Sequence, residues 1–222
     1  SNEIISRLQQ SLDISEALAI LLTQRRIENY DEAKSFFNPS LADLHDPFLM
    51  KGMADAVSRI KNAIDDQENI LIFGDYDVDG TTAVALVFSF LRNLHKNLGY
   101  YIPDRYNEGY GVSYKGIDWA HENGYTLIIA LDCGIKAIEK VAYAQTLGID
   151  FIVCDHHLPD ERLPNASAVL DPKRSDCSYP FDDLSGCGVG FKFMQAFAKV
   201  RNIDFSELIP LMDLLVVSIA SD

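Results

Sequence analysis

The sequence predicts an α/β protein: a doubly wound, mainly parallel sheet over residues 67–222, preceded by a helical lead-in over residues 1–66. Three observations predict it. Short uninterrupted apolar runs such as "NILIF", "YTLIIALD" and "IDFIVCD" lack polar alternation, as strands buried on both faces do. Helical segments of about 10 to 15 residues separate them, which is the rhythm of βαβ units. Three of the runs close on acidic or imidazole residues, which are poor strand formers and costly to bury without partners.

In the lead-in, "ISEALAILLTQRRI" and "DEAKSFF" carry apolar residues three and four apart, and "MADAVSRIKNAIDD" repeats that spacing behind the proline-containing break "NPSLADLHDPFLMKG". From residue 69 the order is strand "NILIF", helix "TTAVALVFSFLRNLHKN", strand "GYYIP", helix "YKGIDWAHENG", strand "YTLIIALD", helix "KAIEKVAYAQTLG", strand "IDFIVCD" and strand "ASAVLDP". Two mainly helical stretches follow, "GCGVGFKFMQAFAKVRN" and "DFSELIPLMDLLVVSIASD". No internal repeat or low-complexity segment interrupts them.

An apolar content of 48% in 222 residues is ample for a core. No run of 18 apolar residues occurs and the N-terminus lacks the basic start and apolar middle of an export signal, so neither membrane spanning nor secretion is expected. Cys133, Cys154, Cys177 and Cys187 form no C-x-x-C pair, which argues against a zinc ribbon or disulfide framework and for a reduced, cytoplasmic compartment. The net charge of −14 repels phosphate backbones. A nucleic-acid substrate would need positive charge from bound divalent ions or from a further domain. The chain stops at "LVVSIASD" with no breaker and reads as a piece of a longer protein.

The stretch "GDYDVDG" places Asp75, Asp77 and Asp79 at alternate positions behind a strand. D-x-D-x-D-G also opens an EF-hand loop, but there the twelfth position is a bidentate Glu between two helices. Here the twelfth residue is Leu86 and the preceding segment is a strand. A polar turn and a metal site remain. Asp155, His156 and His157 follow another apolar strand, and Asp132 ends a third. Carboxylates with imidazoles and no thiolate suit Mn²⁺ or Mg²⁺. Two ions about 3.5 to 4 Å apart, bridged by a carboxylate, would use all these acids in phosphodiester hydrolysis.

These residues resemble the DHH phosphoesterase superfamily: "GDYDVDG", "LDCG" at 131–134, "DHH" at 155–157 and the terminal "SIASD" match its acidic motifs in order. "FFNPSLADLHDPFLMKGMADAVSRI", "YYIPDRYNEGYG" and "LSGCGVGFKF" are similar to its bacterial single-stranded-DNA-specific exonuclease branch over essentially the whole chain. The resemblance implies a Mn²⁺- or Mg²⁺-dependent hydrolase with two ions, degrading single-stranded DNA from the 5′ end to mononucleotides in recombination and repair. A single-strand-binding protein and a helicase are the partners it implies. It further implies that Asp77 and Asp79 each hold one ion, that Asp132 bridges them and that His156 and Asp222 complete the shell of the second. His157 would face the scissile phosphate as hydrogen-bond donor or general acid, with Asp132 and His156 as its partners in catalysis. Asp75 would ligate or support. Relatives acting on pyrophosphate or short oligonucleotides carry a ligating His where this chain has Phe73, so the first ion is expected to have fewer protein ligands. That branch also continues into a glycine-rich closing domain and an oligonucleotide-binding fold, so activity is expected of the longer protein.

Arg105 lies just past a strand, where it would clamp a phosphate or pair with Asp104 or Glu108. The amides of Gly186 and Gly188 would meet a phosphate at a helix start, or the glycines would serve close packing. Tyr106 and Tyr110 would stack on bases or pack locally. His45, His95 and His121 read as surface or capping residues, and Cys133 and Cys154 as small buried hydrophobes. Two alternatives stay open: a phosphodiesterase of short oligonucleotides or cyclic dinucleotides on the same fold, and a non-catalytic repair scaffold.

Overall fold

In the computed structural model, which describes all 222 residues, the chain forms two compact units, Ser1–His45 and Asp46–Asp222. The first holds α1 (Asn2–Leu12), α2 (Glu16–Gln24) and α3 (Tyr30–Phe37). The three- and four-residue apolar spacing gives it a small core of Leu8, Ala19, Leu22, Ile27 and Ala33. α3 starts at Asn29, whose side chain accepts from the Glu32 amide at 2.9 Å.

The second unit contains α4 (Met53–Asp65), β1 (Ile70–Gly74), α5 (Val78–Leu91), β2 (Leu98–Tyr101), α6 (Tyr114–Glu122), β3 (Leu127–Leu131), α7 (Ile138–Thr146), β4 (Asp150–Cys154), β5 (Ala168–Leu170), α8 (Gly186–Arg201) and α9 (Met212–Ser221). α4, whose sequence reads as part of the helical lead-in, lies in this unit against α8 and β5. No helix is long and apolar enough to cross a membrane.

All five strands are parallel, in the order β2-β1-β3-β4-β5. Every residue of β1 and β3 is buried, which is why these segments are apolar without alternation. α6 and α7 cover one face: Ile117, Ala120, Val141 and Ala144 pack with Leu71, Phe73, Ile128, Ala130, Phe151 and Val153. α4, α5 and α8 cover the other. The doubly wound expectation holds. The connection after β1 runs to β2 on one side and the connection after β3 runs to β4 on the other, so the crevice beyond the carboxyl ends of β1 and β3 is where such a sheet takes its ligands.

Candidate metal centre

The strand register sets up the site. Gly74 pairs with Leu131, Leu131 with Cys154 and Cys154 with Leu170. The next residue of each strand is an aspartate, so Asp75, Asp132, Asp155 and Asp171 form one row of carboxylates across the sheet rim. All four are buried to 1% exposure or less. The ladder runs one step past the strands, with the Asp132 amide donating to Cys154 O and the Asp155 amide to Leu170 O, each at 2.9 Å.

The four differ in how their charge is met. Asp155 Oδ2 accepts from the Ile135 amide at 2.8 Å, and Oδ1 from the His156 amide at 2.8 Å and His157 Nδ1 at 2.7 Å. Burial pushes this carboxyl up, but the His157 ring and the Ile135 amide outweigh it and hold it below the usual carboxylate range. Asp75 Oδ1 accepts from the Tyr76 amide at 2.7 Å, its Oδ2 has no partner, and burial raises its pKa.

Asp171 Oδ1 takes the Lys173 amide at 2.7 Å while Oδ2 has no partner, and burial pushes its pKa up to about 6. Asp132 is the extreme case. Neither of its buried oxygens receives a well-formed hydrogen bond, although His156 Nε2 stands 3.1 Å from Oδ1. Burial pushes its pKa up to about 7; His156 pulls it down, and the charges of Asp79 and Asp77 add to the rise. Asp132 also sits in the left-handed region, at φ 59°, a conformation that costs a non-glycine residue about 1 kcal/mol or more.

Opposite this row, Asp77 is the N-cap of α5, its Oδ1 accepting from the Gly80 amide at 2.9 Å. Asp79 follows in the first turn. Its Oδ2 accepts from the Gly186 amide at 2.6 Å, and its Oδ1 from the Cys187 amide at 2.8 Å and the Ser218 hydroxyl at 2.7 Å. The start of α8 thus serves as an anion site for a protein carboxylate. Gly80 closes the aspartate motif for a packing reason: a Cβ there would stand 2.6 Å from the backbone N and O of Asp75.

His156 lies between the two halves of the site, 7% exposed. Its Nε2 is 3.7 Å from Asp79 Oδ2, and its Nδ1 is 3.7 Å from Asp222 Oδ2. Burial lowers its pKa, but Asp132, Asp222 and Asp79 outweigh that and raise it. Two groups bring ligand atoms within 4.8 Å of one another: Asp132, His156 and His157, and Asp79, His156 and Asp222. The oxygen and imidazole donors, without thiolate, and the unmatched oxygens of Asp132 fit one or more divalent cations. Asp75 and Asp77 lie in neither group.

His157 meets the His156 ring edge to face, with centroids 4.7 Å apart, but has partners of its own. Its Nδ1 meets Asp155, and its Nε2 is 3.0 Å from the Tyr110 hydroxyl. The Asp155 carboxylate raises its pKa.

Other expectations are corrected. The Gly186 amide is taken by Asp79 and the Gly188 amide by Ser185 Oγ at 3.1 Å, so neither is open to a substrate phosphate; close packing accounts for Gly186. Arg105 forms no ion pair with Asp104 or Glu108. Its guanidinium lies 5.2 Å from the Tyr76 ring centroid, and Glu108 turns inward to Tyr101 and Ser113. Tyr106 is 93% exposed, whereas Tyr110 contacts His157. His95 is not on the surface: it is buried with Nε2 2.7 Å from the Glu68 carbonyl oxygen. Phe73 stacks on Tyr101 in the core, and Cys133 and Cys154 are buried as expected.

Sequence reasoning missed Asp171, Ser185 and Ser218. The signal for Asp171 was present, since "AVLD" repeats the pattern of an apolar strand followed by an acid.

Known proteins resemble this chain in sequence and in fold. A model of the DHH family, N-terminal domain, matches residues 69–219. The single-stranded-DNA-specific exonuclease RecJ of Bacillus subtilis (strain 168) is 42% identical over 192 residues, 86% of this chain and 24% of that protein. A crystal structure of exonuclease RecJ bound to manganese matches with 28% identity and a TM-score of 0.69, over 76% of this chain and 42% of that one. RecJ from Thermus thermophilus in complex with Mn²⁺ shares the fold, with a TM-score of 0.78 and 23% identity over 98% of this chain and 30% of that one. The chain spans about a quarter to a third of the length of the curated relatives it matches.

Proposed function

Because the chain belongs to the DHH family, we propose that it is the catalytic part of a metal-dependent exonuclease that shortens single-stranded DNA from the 5′ end, releasing mononucleotides in recombination and repair. The names of its relatives support the substrate and the reaction, and the manganese-bound relative supports Mn²⁺ or Mg²⁺ as cofactor. The 5′ direction and the repair role come with the family resemblance. The observation that carries the proposal is Asp132, a buried carboxylate with two unmatched oxygens, beside a His156 whose Nε2 also faces Asp79.

Asp77, Asp79, Asp132, His156 and Asp222 would hold the ions, with Asp75 as a buried support behind them. Bound divalent ions would supply charge neutralisation at the phosphodiester and activation of water. The chain's own residues do the rest. The amides of Gly186 and Cys187 and the Ser218 hydroxyl aim Asp79. Asp155 engages His157 Nδ1, which leaves Nε2, 3.0 Å from the Tyr110 hydroxyl, as the nitrogen that would donate to a phosphoryl or leaving oxygen once protonated and released from Tyr110. Arg105, exposed beside Tyr76, is placed to meet a phosphate.

Residues 67–222, which enclose the family match, are proposed as the catalytic domain; of the helical lead-in 1–66, α4 packs with that domain. A single-strand-binding protein and a helicase are proposed as partners on the family resemblance alone. Four free cysteines fit the cytoplasm.

The test is a Mn²⁺ titration of the longer protein with 5′- and 3′-labelled single strands, dinucleotides and cyclic dinucleotides. Metal-dependent loss of the 5′ label from long strands, abolished by Asp132→Asn, is the expected result. Turnover of dinucleotides alone, or none, would reject the proposal.

A further inference from the structure

Tyr110 lies on the loop between β2 and α6 with a glycine on each side. Gly109 and Gly111 both sit in the left-handed region, at φ 79° and 76°. A Cβ on Gly109 would meet nothing within 4 Å, and one on Gly111 would reach only ordinary contact, 3.6 Å from Cys133 Cβ. Neither position is glycine for want of room; both are glycine for the backbone angle. The loop is pinned just outside them. The Glu108 carboxylate, its side chain 3% exposed, accepts from the Tyr101 hydroxyl at 2.9 Å and the Ser113 hydroxyl at 2.6 Å. On the other side Lys140 Nζ donates to Val112 O at 2.5 Å. A single residue is therefore suspended between two pliable joints, and the joints between two fixed points.

The side chain on those joints is aimed at His157. Its ring is 50% exposed and meets His157 and Tyr76 edge to face, at 5.8 and 6.1 Å between centroids. Burial, helped by the charges of Asp132, Asp75, Asp77 and Asp155, raises the Tyr110 pKa, so the hydroxyl keeps its proton. Its oxygen stands 3.0 Å from His157 Nε2. His157 Nδ1 is already engaged by Asp155 at 2.7 Å, which leaves Nε2 as the nitrogen of that ring for a substrate. Whichever of the two atoms carries the hydrogen, the bond to Tyr110 takes the one in-plane position that Nε2 offers. A phosphoryl or leaving oxygen served by Nε2 must come within about 2.6 to 3.2 Å of the same nitrogen. Two oxygens do not fit there.

We propose that Tyr110 is a positioning residue: its hydroxyl holds the place of a phosphoryl oxygen on His157 Nε2 while the site is empty, and it turns out on Gly109 and Gly111 when substrate arrives. The inference rests on the hydrolytic reading above and adds a displacement step to it. In the empty site the bond keeps the imidazole aimed along the crevice. On binding it is exchanged for a bond to the substrate, so substrate affinity is lower by the worth of the bond given up. An anionic oxygen wins the exchange because charge-assisted hydrogen bonds are the stronger kind. A neutral ligand does not, and Tyr110 thereby selects for phosphate before chemistry starts.

The test has two arms. In the first, imidazole ¹⁵N spectra of this 222-residue chain are recorded in EDTA, which takes the metal centre out of the measurement. Tyr110→Phe is expected to shift the His157 Nε2 resonance and to leave Nδ1 nearly in place. Gly109→Ala with Gly111→Ala is expected to shift Nε2 in the same way, because alanine disfavours the backbone that brings the hydroxyl in. Tyr110 is half exposed and phenylalanine keeps its ring, so folding is not endangered, and the same spectra report that. In the second arm, the longer protein degrades 5′-labelled single strands with Mn²⁺. Tyr110→Phe is expected to lower KM by about threefold to tenfold, the worth of one hydrogen bond, with kcat within about threefold. A role in packing alone would not lower KM. An unmoved Nε2 resonance in either variant, or a KM that Tyr110→Phe leaves unchanged or raises, would overturn the inference while the hydrolytic reading stands. Should the resonance move as expected while the longer protein cleaves no DNA, the hydrolytic reading falls and takes the inference with it.

Discussion

Gly186 and Asp132 touch with no room for a side chain between them: a Cβ on Gly186 would stand 2.5 Å from both Cβ and Oδ1 of Asp132. The same glycine gives its amide to Asp79. One backbone position therefore sets the spacing of two carboxylates that lie 53 residues apart in sequence. Gly186→Ala is expected to push α8 off the rim, costing about 1–3 kcal/mol of stability and weakening Mn²⁺ binding by at least about tenfold. Calorimetric titration and thermal unfolding measure the two effects.

Asp132 governs how the metal-free protein responds to pH. Its pKa rises from 3.8 to about 7 on folding, so its cost is absent below pH 3.8, grows as pH rises from there toward 7 and is complete above it. Asp132→Asn removes that cost. In EDTA, the variant is expected to be more stable than the parent at pH 8, by up to about 4 kcal/mol, and nearly equal at pH 4. Urea unfolding at the two pH values shows the difference. Adding Mn²⁺ should reverse the order, because the variant loses a ligand.

The same proton competes with the ion. Binding requires Asp132 to be ionised, and its pKa of about 7 makes apparent Mn²⁺ affinity fall by about tenfold from pH 8 to pH 6. His156, raised above its ordinary value, steepens the fall in the same direction. Isothermal titration at three pH values reads the slope, which is expected to flatten in Asp132→Asn.

Ser218 is fully buried and joins Asp79 to Ser185, whose hydroxyl lies 2.6 Å away. Ser218→Ala removes one donor from a buried carboxylate and is expected to cost about 1–3 kcal/mol. Ser218→Thr keeps the hydroxyl and should recover part of the loss in the same unfolding assay.

In the proposed function His157 would serve the substrate and not the ions. In the longer protein, His157→Ala is expected to lower kcat by roughly 10²–10⁴-fold while Mn²⁺ affinity stays within about threefold. Loss of metal binding instead would move His157 into the ligand shell.

Much of this was legible in the sequence because it depends on local chemistry. An uninterrupted apolar run is a buried strand, and an acid at its end has no place in the strand itself; Asp75, Asp132 and Asp155 could be read that way. Asp171 escaped because β5 has three residues and its acid is followed by proline, which reads as a simple turn. The partners of Asp79 escaped for a different reason. Nothing in "SGCG" or "VVSIAS" says that amides 107 and 108 residues away, and a hydroxyl 139 residues away, converge on one carboxylate. Such contacts are set by helix packing, as is the burial of His95.

The central claim is that Asp79, Asp132, His156 and Asp222 converge to hold divalent cations. Anomalous diffraction from crystals soaked in Mn²⁺ tests it most directly. A manganese peak bonded to the Asp132 carboxylate and to His156 is the result this account expects. Manganese bound elsewhere, with the rim of the sheet empty at saturating concentration, would contradict it.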